Sequence, residues 1–140
     1  MKNKPKKYKN ILFLILIIVI IAIFIDQRFK AVNIDDLVEL SIEKNEVLPP
    51  QEFTTDGCTL WPNNFFNIDI TDVCINHDMQ YWAGGNAEDR KNSDTEMRNG
   101  VNEVLYPMGN VMYLGTVIFG HPLIPAPWRW GYGFDYYYKY

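Results

Sequence analysis

An unbroken apolar run from Ile11 to Ile25 follows Lys2, Lys4, Lys6, Lys7 and Lys9 and is closed by Asp26-Gln27-Arg28. No stretch limits the chain more, because it withdraws the first 30 of 140 residues from any water-facing core. As a helix those fifteen residues reach about 22 Å, against about 30 Å of bilayer hydrocarbon. Tyr8 and the snorkelling Lys9 and Arg28 extend the reach. A core helix is disfavoured, since the run has no polar face. It reads either as a cleavable signal peptide or as a signal-anchor. The absence of a small-x-small cleavage site after Phe24 favours the transmembrane signal-anchor. In both cases the lysine cluster stays cytoplasmic and the remainder lies on the extracytoplasmic side.

The net charge of −4 hides a split. Residues 1–30 carry seven Lys/Arg against Asp26 alone, whereas residues 31–140 carry six against sixteen acids, a balance of −10. An exported domain this acidic repels phosphate backbones, which argues against nucleic acid as a partner and favours a divalent cation. A domain of about 110 residues buries a modest core and gains from a covalent staple. Both cysteines, Cys58 and Cys74, lie in the exported part, where a disulfide is expected. Closing a loop of that length is worth roughly 3 kcal/mol.

Beyond the basic and apolar segment 1–30, residues 31–50 form an amphipathic helix and linker, and residues 51–140 the main domain. Ile34, Leu37, Val38, Ser41 and Ile42 recur at helical spacing over 31–48. Asn33 or Asp35 opens this helix and Pro49-Pro50 ends it. It either packs over the core or faces a membrane. Residues 51–69 hold turn formers and no sustained period, which predicts a loop. A second helix is expected from about Ile70 to Ala83, capped by Thr71 or Asp69. Gly84-Gly85 stops it, and Asn86 caps a third helix from Ala87 to about Tyr106. The short turn makes these two an antiparallel hairpin. From Met108 onward Gly, Pro and aromatics dominate, and Pro125–Gly133 suits neither helix nor strand. The closing tyrosines suit a lipid interface or packing against the hairpin, and Trp128-Arg129-Trp130 a cation–π ladder or a headgroup contact.

On the second helix, at about 100° per residue, Cys74, His77, Asp78 and Tyr81 share one side. Apolar packing does not call for an imidazole, a carboxylate and a phenol together. The third helix is expected to bury Met97, Val101, Val104 and Leu105. Asp94 continues that stripe, whereas Asp89 is turned about 140° from it towards water. A buried carboxylate needs partners. Across the hairpin the nearest are His77 and Tyr81, which makes Asp94 the natural orienter of His77; pairing with Arg90 or Arg98 is the alternative.

Cys74-Ile75-Asn76-His77-Asp78-Met79-Gln80-Tyr81 resembles the Cys-x-x-His-Asp-x-x-Tyr stretch of the secreted phospholipase A2 superfamily. Asp56-Gly57-Cys58 lies where that family carries its calcium loop, and Cys58 precedes His77 by nineteen positions, a matching spacing. Gly84-Gly85 and Glu88–Asp94 resemble the hairpin and second aspartate of bacterial members, so the likeness spans residues 56–101. It implies a mainly α domain: an antiparallel helical hairpin with a disulfide-anchored calcium loop, added here to an N-terminal transmembrane helix. It further implies calcium-dependent hydrolysis of a phospholipid acyl ester, with membrane phospholipid as substrate. His77 would be the general base, Asp94 its orienter and Tyr81 a hydrogen-bond partner of that carboxylate. Asp78 and the carbonyls of Gly57, Thr59 and Trp61 would hold Ca2+, with the Thr59 amide helping to hold the oxyanion. Thr59, Leu60, Trp61 and Pro62 stand where animal members carry glycines, and Val73 replaces a common cysteine.

Three other readings compete. A zinc site from Cys58, Cys74, His77 and His121 lacks the tight Cys pairs of structural zinc. A serine hydrolase lacks Gly-x-Ser-x-Gly, and Ser41 and Ser93 sit in helical stretches. A catalytically silent calcium- or lipid-binding envelope module of the same fold keeps every residue and loses only turnover.

Overall fold

A computed structural model describes residues 33–135 and Tyr140. Among them the fold is mainly helical, with four helices: α1 (Ile34–Asn45), α2 (Thr71–Ala83), α3 (Ala87–Val104) and α4 (Met108–Phe119). Among the described residues no helix is long and apolar enough to cross a membrane. The run Ile11–Ile25, and the expectation built on it, lie outside the described residues.

The Asn33 side chain opens α1 by accepting from the Asp35 amide. Asp35 and Asp36 sit in its first turn and Lys44 in its last, the charge order a helix dipole favours. It ends at a left-handed Glu46 (φ 64°), three residues before the Pro49-Pro50 stop expected from sequence. The helix packs over the core: Leu37 lies against Trp82 and Ala83, and the Asn45 amide donates to the Ala83 carbonyl. Its buried stripe is Leu37, Ser41 and Asn45, whereas Ile42 points outward.

The stretch expected as plain loop contains a small antiparallel hairpin. β1 (Asn64–Phe65) pairs with β2 (Ile68–Asp69), Asn64 opposite Asp69. Phe66 and Asn67 both take positive φ (49° and 70°), the geometry of a tight two-residue hairpin turn. Two-residue strands leave no alternation to detect in the sequence.

Asp69 precedes α2 and accepts from both the amide and hydroxyl of Thr71. Gly84 and Gly85, with φ of 73° and 132°, turn the chain as expected. Asn86 then starts α3 in a reciprocal box: its side chain accepts from the Glu88 and Asp89 amides, while Asp89 accepts from the Asn86 amide. Val73 lies by Gly100, His77 by Asp94 and Tyr81 by Arg90, so α2 and α3 run antiparallel. The core of this layer is Cys58, Ile70, Cys74, Met97, Val101 and Met112. Val104, expected inside, is 52% exposed, because α3 gives way at Leu105 to the turn into α4.

α4 departs most from expectation, since the sequence from Met108 onward reads as a Gly-, Pro- and aromatic-rich tail with no helix assigned to it. It returns along α3, with Arg90 donating to the Thr116 and Val117 carbonyls and Asn102 bonding Asn110. Gly109 allows the close start, where any Cβ would strike the Arg98 carbonyl. After it, the chain folds back over the hairpin. Trp130 is fully buried, its indole N–H donates to the Gly85 carbonyl, and the Gly131 and Gly133 amides bond the Tyr81 and Trp82 carbonyls. Arg129 spends its guanidinium on the carbonyls of Trp130, Gly131, Phe134 and Asp135, which braces the returning chain. The cation over Trp130 is Lys44, at 5.3 Å. Residues 136–139, which hold three of the four closing tyrosines, lie outside the described residues.

Candidate functional site

Helical spacing puts His77 and Tyr81 one turn apart on the face of α2 that meets α3, and their rings stack with centroids 4.3 Å apart. Asp94, 2% exposed, reaches across from α3. Its Oδ1 lies 2.9 Å from His77 Nε2 and accepts the Tyr81 hydroxyl at 2.8 Å. Arg90, one turn before Asp94, was weighed from sequence only as a rival partner for Asp94. It serves beside His77 instead of in its place: Arg90 Nε lies 4.0 Å from Asp94 Oδ2 and donates to the Tyr81 oxygen at 3.4 Å. The other guanidinium nitrogens hold α4 carbonyls and the Tyr140 hydroxyl. A buried carboxylate is thus met by an imidazole, a phenol and a guanidinium, which is what makes its burial tolerable. Burial, and after it the charge of Asp94, pushes the Tyr81 phenol above its usual range, so Tyr81 remains a donor.

Asp78, the next residue after His77, looks the other way. Its Oδ2 accepts the Thr55 hydroxyl at 2.6 Å, and that hydroxyl in turn accepts the Gly57 amide. Asp56 is near, its Oδ1 receiving the Thr59 hydroxyl at 2.8 Å. Burial pushes the Asp78 carboxyl up to about 8; the Thr55 hydrogen bond opposes this and the Asp56 charge adds to it. The Cys58–Cys74 disulfide exists, with Cα atoms 5.0 Å apart, and ties this loop to α2 one turn before His77. It also removes both thiolates from any zinc set, and His121 instead accepts the Leu123 amide in the loop after α4. The zinc reading is therefore overturned.

A cavity of about 250 Å3 joins the two halves. His77, Asp78, Tyr81, Gly57, Thr59, Trp61 and both cysteines line it, and Asp94 stands behind His77. Leu60, Met97, Met112, Phe119 and Trp128 supply apolar wall. Every residue singled out for the site thus borders one space or braces a residue that does. Sequence reasoning missed Thr55, Phe119 and Trp128. Arg90 was legible as the i, i+4 partner of Asp94, whereas Thr55 carries no spacing signal.

Among the described residues no group of three or more His, Cys, Asp or Glu side chains is placed to hold a metal. A cation here would rest instead on Asp78, loop carbonyls and water, an all-oxygen set suited to a hard ion such as calcium. The Asp56 charge beside Asp78, which adds to the upward push on the Asp78 carboxyl, fits such an ion. Against known proteins the chain finds no match among family models, curated proteins or solved structures.

Proposed function

We propose that this chain is a membrane-tethered, calcium-dependent hydrolase of phospholipid acyl esters, of the phospholipase A2 type. One observation carries the reading. His77 lies 2.9 Å from a buried Asp94, the adjacent Asp78 faces an oxygen-rich loop, and both border an apolar-walled cavity.

The carboxylate at Nε2 favours the tautomer protonated there, which leaves Nδ1 as the basic nitrogen. His77 takes a proton from water through Nδ1 as the water attacks the ester carbonyl, and Asp94 offsets the imidazolium charge. His77 then returns the proton to the departing alkoxide, which releases a fatty acid and a lysophospholipid. Tyr81 and Arg90 keep Asp94 aimed. Bound at Asp78 and the carbonyls of Gly57, Thr59 and Trp61, calcium supplies charge stabilisation for the substrate phosphate and the developing oxyanion. Apolar walls from α3 and α4 suit an acyl chain. The basic, apolar N-terminus keeps the domain at its substrate, on the extracytoplasmic side.

The test is fatty-acid release from phospholipid vesicles by the full chain, with calcium and with a chelator. Release that stops with chelator and falls about a thousandfold in His77→Gln is expected. Release unchanged by chelator removes calcium from the reading, and release surviving His77→Gln removes the base. No turnover, with calcium still raising the melting temperature, means a silent binding module.

A further inference from the structure

The glycines within α4 and at its end are not there for one reason. A Cβ at Gly109 would strike the Arg98 carbonyl, and one at Gly120 would strike the Tyr81 hydroxyl and the Thr116 carbonyl. Neighbouring atoms therefore demand glycine at both. At Gly115 a Cβ would meet nothing within 4 Å, and the residue lies in the interior of the helix. Glycine weakens a helix interior relative to alanine, so this one lowers stability and no close approach accounts for it.

Gly115 borders the cavity beside His77. At about 100° per residue, Met112, Thr116 and Phe119 lie to one side of it and Val111, Leu114 and Ile118 to the other. The first three line the cavity. The second three are apolar and at least half exposed, and α4 carries no charged residue. Elsewhere bulky side chains such as Trp61, Met97 and Trp128 close the wall. At Gly115 no side chain separates the apolar cavity from the apolar outer surface of the helix. We infer that Gly115 is a gap through which the distal part of a long acyl chain passes onto the outer face of α4, so that residue 115 sets the chain length the site accepts. The assignment deepens the hydrolase reading and rests on it for the identity of the chain that enters.

Binding of n-alkylphosphocholines of increasing chain length to the full chain, in non-ionic detergent with calcium, tests this without requiring turnover. Calorimetry gives the affinity, and the ratio of variant to native affinity at each length cancels the ligand's own partition into detergent. Each methylene shut out should lower affinity about fourfold. Gly115→Leu should match the native chain for short ligands and fall behind as they lengthen, by about fifteenfold once two methylenes are excluded. Gly115→Ala should raise the melting temperature, because its Cβ enters open space, and should lose about fourfold with the longest ligands. It carries the test should the leucine variant not fold. A ratio independent of chain length, no binding by the native chain at any length, or an alanine variant that melts below the native chain overturns the assignment. A loss that grows with length, without hydrolysis of ester phospholipid by the native chain, sinks the hydrolase reading and leaves the gap at Gly115 standing. Hydrolysis with a length-independent ratio does the reverse.

Discussion

His77 and Asp78 are neighbours in sequence, yet they stand in opposite physical circumstances. Behind His77, each polar group meets another: Arg90 donates to Tyr81, Tyr81 to Asp94, and Asp94 faces the imidazole. In front, Asp78 faces a loop that carries a second carboxylate and has one hydroxyl to temper it. Two adjacent residues on one helix can therefore be a rigid fixture and a carboxyl that burial holds back from ionising. The satisfied side holds geometry, and the strained side is suited to take up a ligand.

The largest effect expected from breaking this contrast comes from the satisfied side. Arg90→Met strips a buried carboxylate of its cation and frees two α4 carbonyls, and should cost about 3–5 kcal/mol, read by denaturant unfolding. Replacing both Cys58 and Cys74 by Ser should cost roughly 3 kcal/mol. It should also weaken calcium binding, because the bridge joins the loop to α2. That combination separates it from Arg90→Met, which leaves the loop tied.

The strained side predicts an effect of opposite sign that is smaller per pH unit than either of these. Asp78 is raised in the fold from 3.8 to about 8, so the folded state favours its protonated form. That contribution is fully present below the unfolded value and is lost as pH rises through the folded one. Stability of the metal-free chain should thus fall between about pH 4 and 8, by at most about 1.4 kcal/mol per pH unit. Asp78→Asn should flatten that slope in thermal melts followed across the window.

Much of this contrast was legible beforehand because it rests on local rules. Gly84-Gly85 and Asn86 set the hairpin, three- and four-residue spacing aligned Cys74, His77 and Tyr81, and the Met97–Val101 stripe turned Asp94 inward. The export reading led to the disulfide. What escaped depends on tertiary context. α4 carries apolar residues on nearly every side, and Val111, Leu114 and Ile118 stay at least half exposed, so no polar face marks its helical period. Pro107, Gly109 and Gly115 further disguise it. Thr55 reaches the site through a loop path that no periodicity reports. Val104 was misjudged because a stripe was extended one turn past the point where the helix leaves the core.

Calcium binding to the full chain at pH 7, measured by calorimetry in buffers of different ionisation enthalpy, probes the contrast at its origin. A carboxyl raised to about 8 is mostly protonated there. One ion per chain should therefore bind with release of close to one proton, and Asp78→Asn should lose both. Tight binding without proton release and undiminished in Asp78→Asn, or no binding at all, would contradict the account.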